Sequence, residues 1–95
     1  MSGYVISNID VKNPEAYEEY IDKVKPTVEK FGGEYLVRAG KYKVIDGEWK
    51  YPRTVIIKFS SYKKALDWYN SEEYQPVKPI RLANSVANGI IIKGV

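Results

Sequence analysis

Gly3-Tyr4-Val5-Ile6-Ser7-Asn8-Ile9-Asp10-Val11, followed at once by Lys12-Asn13-Pro14-Glu15-Ala16-Tyr17, changes its period midway. Tyr4 to Val11 alternates apolar and small polar residues, as a strand does. Asn13 is then a natural N-cap, Pro14 presets φ at the first helical position, and Glu15 sits at the positive end of the helix dipole. Ala16, Tyr17, Tyr20, Ile21, Val24, Val28 and Phe31 recur at spacings of three and four, which predicts one apolar stripe on an amphipathic helix lying on a sheet. Pro26 deletes a backbone donor inside that helix, so a kink or a break is expected there. Gly32-Gly33 ends it.

Downstream the same alternation of chemistry repeats. Glu34 to Ile45 returns to β-formers, Asp46-Gly47 signals a tight turn, and Glu48 to Pro52 extends a hairpin with Trp49 near its tip. Thr54 to Phe59 is the most β-branched stretch of the chain, and Ser60-Ser61 offers N-caps for a second helix whose buried stripe is Tyr62, Ala65, Leu66 and Tyr69. Ser71 caps a further short turn carrying Glu72, Glu73 and Tyr74, kept short by Pro76 and Pro79. The last strand is expected from Gly89 to Val95. The order β, α, β, β, α, β is the split βαβ plan of a ferredoxin-like α+β fold. With 95 residues it makes one domain over 1–95.

Composition removes many functions. The chain has no cysteine and no histidine, which excludes disulfides, thiol nucleophiles, Cys/His zinc sites, imidazole-bound haem and every histidine general base. No metal and no cofactor is expected, since Gly32-Gly33 follows a helix and leads into a strand, the reverse of a phosphate-cradling loop. The net charge of +3 is spread among interspersed acids, and Arg53-Thr54-Val55-Ile56-Ile57-Lys58-Phe59 does not match the aromatic pattern of an RNA-binding sheet, so nucleic acid is not expected as a partner. The apolar runs are too short to span a bilayer, and with no signal-like start a cytoplasmic protein is expected.

Two helices cover one face of a four-stranded sheet, yet both faces carry apolar residues. Tyr4 and Ile6 oppose Val5 and Ile9, Tyr35 and Val37 oppose Leu36, Ile56 opposes Val55, Ile57 and Phe59, and Ile91 opposes Ile90 and Ile92. A second copy is the simplest cover for the open face. Ser7, Asn8, Arg38 and Lys58, scattered among these residues, suggest a partly polar pocket enclosed between the two sheets.

Several segments together resemble the family known as domain of unknown function 1330 (DUF1330), within the dimeric α+β barrel superfamily. The resemblance spans nearly the whole chain and rests on Gly3-Tyr4, Asn13-Pro14-Glu15-Ala16-Tyr17, Phe31-Gly32-Gly33, Leu36-Val37-Arg38-Ala39-Gly40, Gly47-Glu48-Trp49, Pro52-Arg53, Tyr69-Asn70-Ser71-Glu72-Glu73-Tyr74 and Arg81. It implies a ferredoxin-like fold that dimerises through its sheets, and no established reaction. Where the family often reads Arg-Gly-Gly, this chain has Arg38-Ala39-Gly40.

Six residues stand out as ligand-binding candidates. Arg38 sits mid-strand, a costly place for a charge unless it meets an anion or an acid such as Glu34 or Glu48. Ser71 and Tyr74, in a motif resembling the family's Ser-x-Glu-Tyr, would line an entrance with Arg81, although capping alone accounts for a serine at position 71. Arg53 could hold a carboxylate or flank a turn. Tyr17 faces the core stripe or a pocket rim. The expectation is a homodimeric pocket protein for a small anionic or aromatic ligand, with a cofactor-independent enzyme and a non-catalytic binding or assembly module both open. No catalytic residue is assigned.

Overall fold

A computed structural model describes residues 1–95. The elements are β1 (Gly3–Val11), α1 (Pro14–Lys30), β2 (Glu34–Arg38), β3 (Arg53–Phe59), α2 (Tyr62–Tyr69), α3 (Lys78–Asn84) and β4 (Ser85–Lys93). The strands form one sheet in the order β2-β3-β1-β4, with every neighbour antiparallel. No helix is long and apolar enough to cross a membrane.

The caps form where the sequence places them. Asn13 accepts from the Ala16 N–H, and Ser61 accepts from the Lys64 N–H. At the other end of α1, Gly32 takes φ +74°, its N–H donating to Glu29 O while the Gly33 N–H donates to Val28 O. This pair of bonds closes the last turn and favours a residue without Cβ at position 32. Helix α1 continues through Pro26 without a break.

Register assigns the faces. Val5 lies opposite Ile57 on one side and Ile91 on the other, and Ile6 opposite Ile56 and Ile90. The odd residues of β1 and β3 therefore point to the helices, and the even ones to the open face. Under the helices sits a core of Ile9, Tyr17, Val28, Val55, Phe59 and Trp68, among others. Trp68 stacks on Phe59 with centroids 5.6 Å apart and packs tilted against Tyr74 at 4.4 Å. Its indole N–H donates to Thr27 Oγ1 at 3.0 Å, and Thr27 donates onward to Val24 O.

Three local expectations change. First, β2 ends at Arg38, and 39–52 forms a largely exposed loop rather than a hairpin to Ile45. Tyr42, Val44 and Ile45 find no strand to pair with, and Trp49 is held instead by a bond from its indole N–H to Thr54 Oγ1. Second, a register shift between Tyr35 and Val37 puts Tyr35 and Arg38 on the helix face and Val37, opposite Ile56, on the open one. Tyr35 and Val37 thus do not share a face. Third, the stretch before the last strand is helix α3, packed on α1, and β4 begins at Ser85 rather than Gly89. Pro79 there starts a helix instead of preventing one, as proline does in a first turn.

Ala39 follows the bulged strand at φ +61°, its N–H donating to Thr54 O at 2.8 Å. A side chain at this φ costs about 1–2 kcal/mol, against about 0.4–1 kcal/mol of added unfolded-state freedom for glycine. Ala39→Gly should therefore stabilise the fold by about 0.5–1 kcal/mol, read as a higher urea midpoint at unchanged slope. A lower midpoint would contradict the strain assigned to this position.

Candidate functional site

Between the sheet and the helices lies a cavity of about 670 Å³, and eighteen of its twenty-five lining residues are hydrophobic. Val5, Ile9, Val55, Ile57, Leu66 and Ile91 make its apolar wall. The rest of its character comes from arginine and tyrosine. Arg38 from β2, Arg53 from β3 and Arg81 from α3 all line it, and no aspartate, glutamate or lysine does. Three cations thus share a partly enclosed space without a counter-charge among its walls.

Each arginine is positioned differently. Arg38 reaches the cavity because the β2 bulge turns it to the helix side, where its Nη2 donates to Ile21 O at 2.7 Å. That carbonyl lies one turn before Pro26, whose missing N–H leaves the adjacent Asp22 carbonyl without its helical donor. Arg38 also lies 4.6 Å from the Tyr35 ring centroid. Neither Glu34 nor Glu48 pairs with it; its partner is backbone. Arg53 sits 5.7 Å from the Tyr17 ring centroid, and its buried Nε–H has no protein acceptor. Arg81 Nε donates to the Tyr74 hydroxyl at 3.3 Å, and that hydroxyl is 2.9 Å from the hydroxyl of Tyr20.

Five of the six candidates read from sequence, Arg38, Arg53, Arg81, Tyr17 and Tyr74, therefore line one cavity. Ser71 does not. Its hydroxyl donates to Trp68 O and accepts from the Tyr74 N–H, so it caps the turn that holds Tyr74 in place. Tyr20 and Tyr35 join the other five without a sequence motif of their own. Tyr20 reads as one more member of the helical stripe, although its spacing of three from Tyr17 puts two phenols on one helix face, with ring centroids 5.3 Å apart.

The cavity also lies elsewhere than expected. It opens on the helix-covered side of a single chain, not between two facing sheets. The cause is register: Ser7 shares the helix side with Val5 and Ile9, and the bulge brings Arg38 to the same side. Asn8 and Lys58 do face the open side.

Burial holds the phenols of Tyr17, Tyr20 and Tyr35 above their ordinary value, Tyr20 the most, with the Tyr74 phenol adding to burial there. At Tyr17 and Tyr35 nearby arginines oppose the rise without cancelling it. At Arg81 burial pulls downward, but the phenols of Tyr74, Tyr20 and Tyr69 together more than offset it. The cavity therefore presents neutral O–H donors and fixed cations rather than a base.

The profile of the family described as "Domain of unknown function (DUF1330)" matches residues 2–95. Among curated protein sequences none matches this chain. Of solved structures, a protein of unknown function from Rhodopseudomonas palustris is similar, with TM-score 0.79 and 15% identity over 99% of this chain and 82% of its own. A dimeric ferredoxin-like protein of unknown function from Jannaschia sp. CCS1 gives TM-score 0.78 and 9% identity over 99% of this chain and all of its own. SnoaB, a cofactor-independent oxygenase from Streptomyces nogalater, gives TM-score 0.65 and 9% identity, covering 99% and 93%. At these identities the likeness is one of fold.

Raised phenol pKa values fix the sign of a pH effect. Below about pH 10 a tyrosine is protonated whether folded or unfolded, and the stabilisation is complete. Above it the unfolded chain ionises first, so stability falls as pH rises, at about 1.4 kcal/mol per pH unit for Tyr20 alone. Urea midpoints should drop between pH 9 and pH 11, and Tyr20→Phe should make that drop shallower. An equal drop in the variant would show that Tyr20 does not resist ionisation.

Proposed function

Because this chain belongs to the DUF1330 family across residues 2–95, a family whose description assigns no activity, we propose its function from its own cavity: it binds a small organic acid with an apolar or aromatic body, as a homodimer whose open sheet faces meet. One observation carries the ligand class. Three guanidinium groups and no carboxylate line the cavity, so a bound anion would offset their mutual repulsion and fill the unused Arg53 donor. The volume of about 670 Å³ falls in the usual range for small-molecule sites. Catalysis without a cofactor is a second form of the same proposal, supported by the fold likeness to SnoaB.

Dimerisation is supported by the open face. Leu36, Val86, Ile90 and Ile92 are each about half exposed, and the last three share one side of β4. Such a patch favours a partner surface, and a second copy would bury about 1,200–2,000 Å² in total. Asn8 adds a buried Oδ1 without a donor on this face, opposite Thr54 and Asn88 in the register.

Two experiments test the halves separately. Light scattering should give twice the 10.9 kDa chain mass, and Ile92→Asp, which places a charge on the open face away from the cavity, should give a folded monomer. A wild-type monomer at all concentrations would sink the dimer. For the ligand, calorimetric titration with benzoate and related aryl carboxylates should show binding that Arg53→Ala and Arg81→Ala each weaken about tenfold or more, the scale of a charged hydrogen bond of about 1.5–3 kcal/mol. Uncharged benzamide binding as tightly as benzoate would refute an anion site.

A further inference from the structure

Resting on that cavity reading, we propose that Arg81, Tyr74 and Tyr20 form an oxyanion site, a donor chain ending in one phenolic proton aimed at the charged oxygen of a bound phenolate or enolate.

Counting protons leads there. Arginine can only donate, so the Tyr74 oxygen accepts from Arg81 Nε. Tyr20 and Tyr74 bring two phenolic protons, and the 2.9 Å link between their oxygens uses one. The other has no acceptor on the protein. Both phenols line the cavity. In the order Arg81 to Tyr74 to Tyr20 the Tyr74 proton is spent on Tyr20 and the Tyr20 proton is left for a ligand. A guanidinium behind two hydroxyls polarises each O–H in turn, making the last a stronger donor to a full negative charge than to a neutral oxygen.

At Arg81 and Arg38 the geometry favours a single oxygen over a carboxylate, while the unpaired Arg53 Nε–H stays open to either. At Arg81 the Nε edge that would grip two carboxylate oxygens is committed to Tyr74, and at Arg38 Nη2 is committed to Ile21 O. What the chain offers is one donor at one point, the arrangement that stabilises an oxyanion. The other charged and titratable groups lining the cavity are Arg38 from β2, Arg53 from β3, and the phenols of Tyr17 from α1, Tyr35 from β2 and Tyr62 and Tyr69 from α2. None is a carboxylate, so no protein anion competes for the site. Burial, with Tyr74 adding to it, holds the Tyr20 phenol above its ordinary value, so it stays protonated.

Ionisation of a bound weak acid is then balanced simply. The ligand O–H bond breaks, the electron pair stays on the ligand oxygen, and the proton leaves to solvent, because the lining contains no carboxylate, histidine or lysine to receive it.

4-Nitrophenol tests this directly, since its phenol and phenolate absorb at different wavelengths. Titrated with base in the presence of saturating protein, it should ionise at least one pH unit below its value in buffer, a tenfold preference for the phenolate. Tyr20→Phe keeps the ring and should return at least half of the shift while the probe still binds; Arg81→Gln should do the same from the far end of the chain. A probe that binds with no shift, or with a shift that both variants retain, overturns the oxyanion site and leaves the anion cavity standing. Binding of benzoate but not of 4-nitrophenol also overturns it. Failure of both probes to bind removes the cavity reading as well.

Discussion

Trp68 stacks on Phe59 of β3 and packs against Tyr74, while its indole N–H ends on Thr27 of α1. One side chain thus fixes α2 to the sheet, to the first helix and to the turn beyond it. The rest of the polar geometry depends on that arrangement. The Tyr74 ring is pinned by Trp68 on one side and by the Ser71 cap beneath its backbone, so its hydroxyl arrives at Tyr20 and Arg81 without freedom to wander. A buried indole N–H needs an acceptor, and Thr27 supplies it from a helix position where a hydroxyl would otherwise cost stability.

The cavity exists because this aromatic pile fills only part of the space between sheet and helices. The other part is walled by branched aliphatic residues from β1, β3 and β4 and by α1, whose Pro26 keeps its turn slightly undersupplied with donors. Arg38 donates to the neighbouring Ile21 carbonyl of the same helix, and its remaining donors stay in the cavity. Cationic groups are held here by aromatic faces and carbonyls, both of which leave the net charge unneutralised.

Much of this was legible in the amino-acid order because local signals and global fold agree. Asn13-Pro14, Ser61 and Gly32-Gly33 mark boundaries through backbone chemistry that operates within a few residues, and the structure places caps and turns there. Five of six candidate residues reach one cavity because arginines in or beside an apolar run, and a tyrosine on a helix stripe, are costly unless they share a partly polar space. What could not be read is non-local. The β2 bulge, which reverses the face of Arg38, depends on register against β3 rather than on the composition of β2. Helix α3 is short and has no side-chain N-cap, so its formation depends on packing against α1. The loop 39–52 has strand-forming residues but no partner strand, and propensity without pairing decides nothing.

The middle of the sheet has a temporal meaning as well as a spatial one. β1 lies between β3 and β4 and touches both along its length, and the Gly94 N–H closes on Ser2 O beyond the last paired residues. The first strand made is therefore held by the last one, with nearly the whole chain looped out between them. Contacts of such separation demand loop-closure entropy before they return any stabilisation, which slows folding relative to a helical chain of the same size. During synthesis β1 must wait as an apolar, unpaired segment until its partners β3 and β4 emerge.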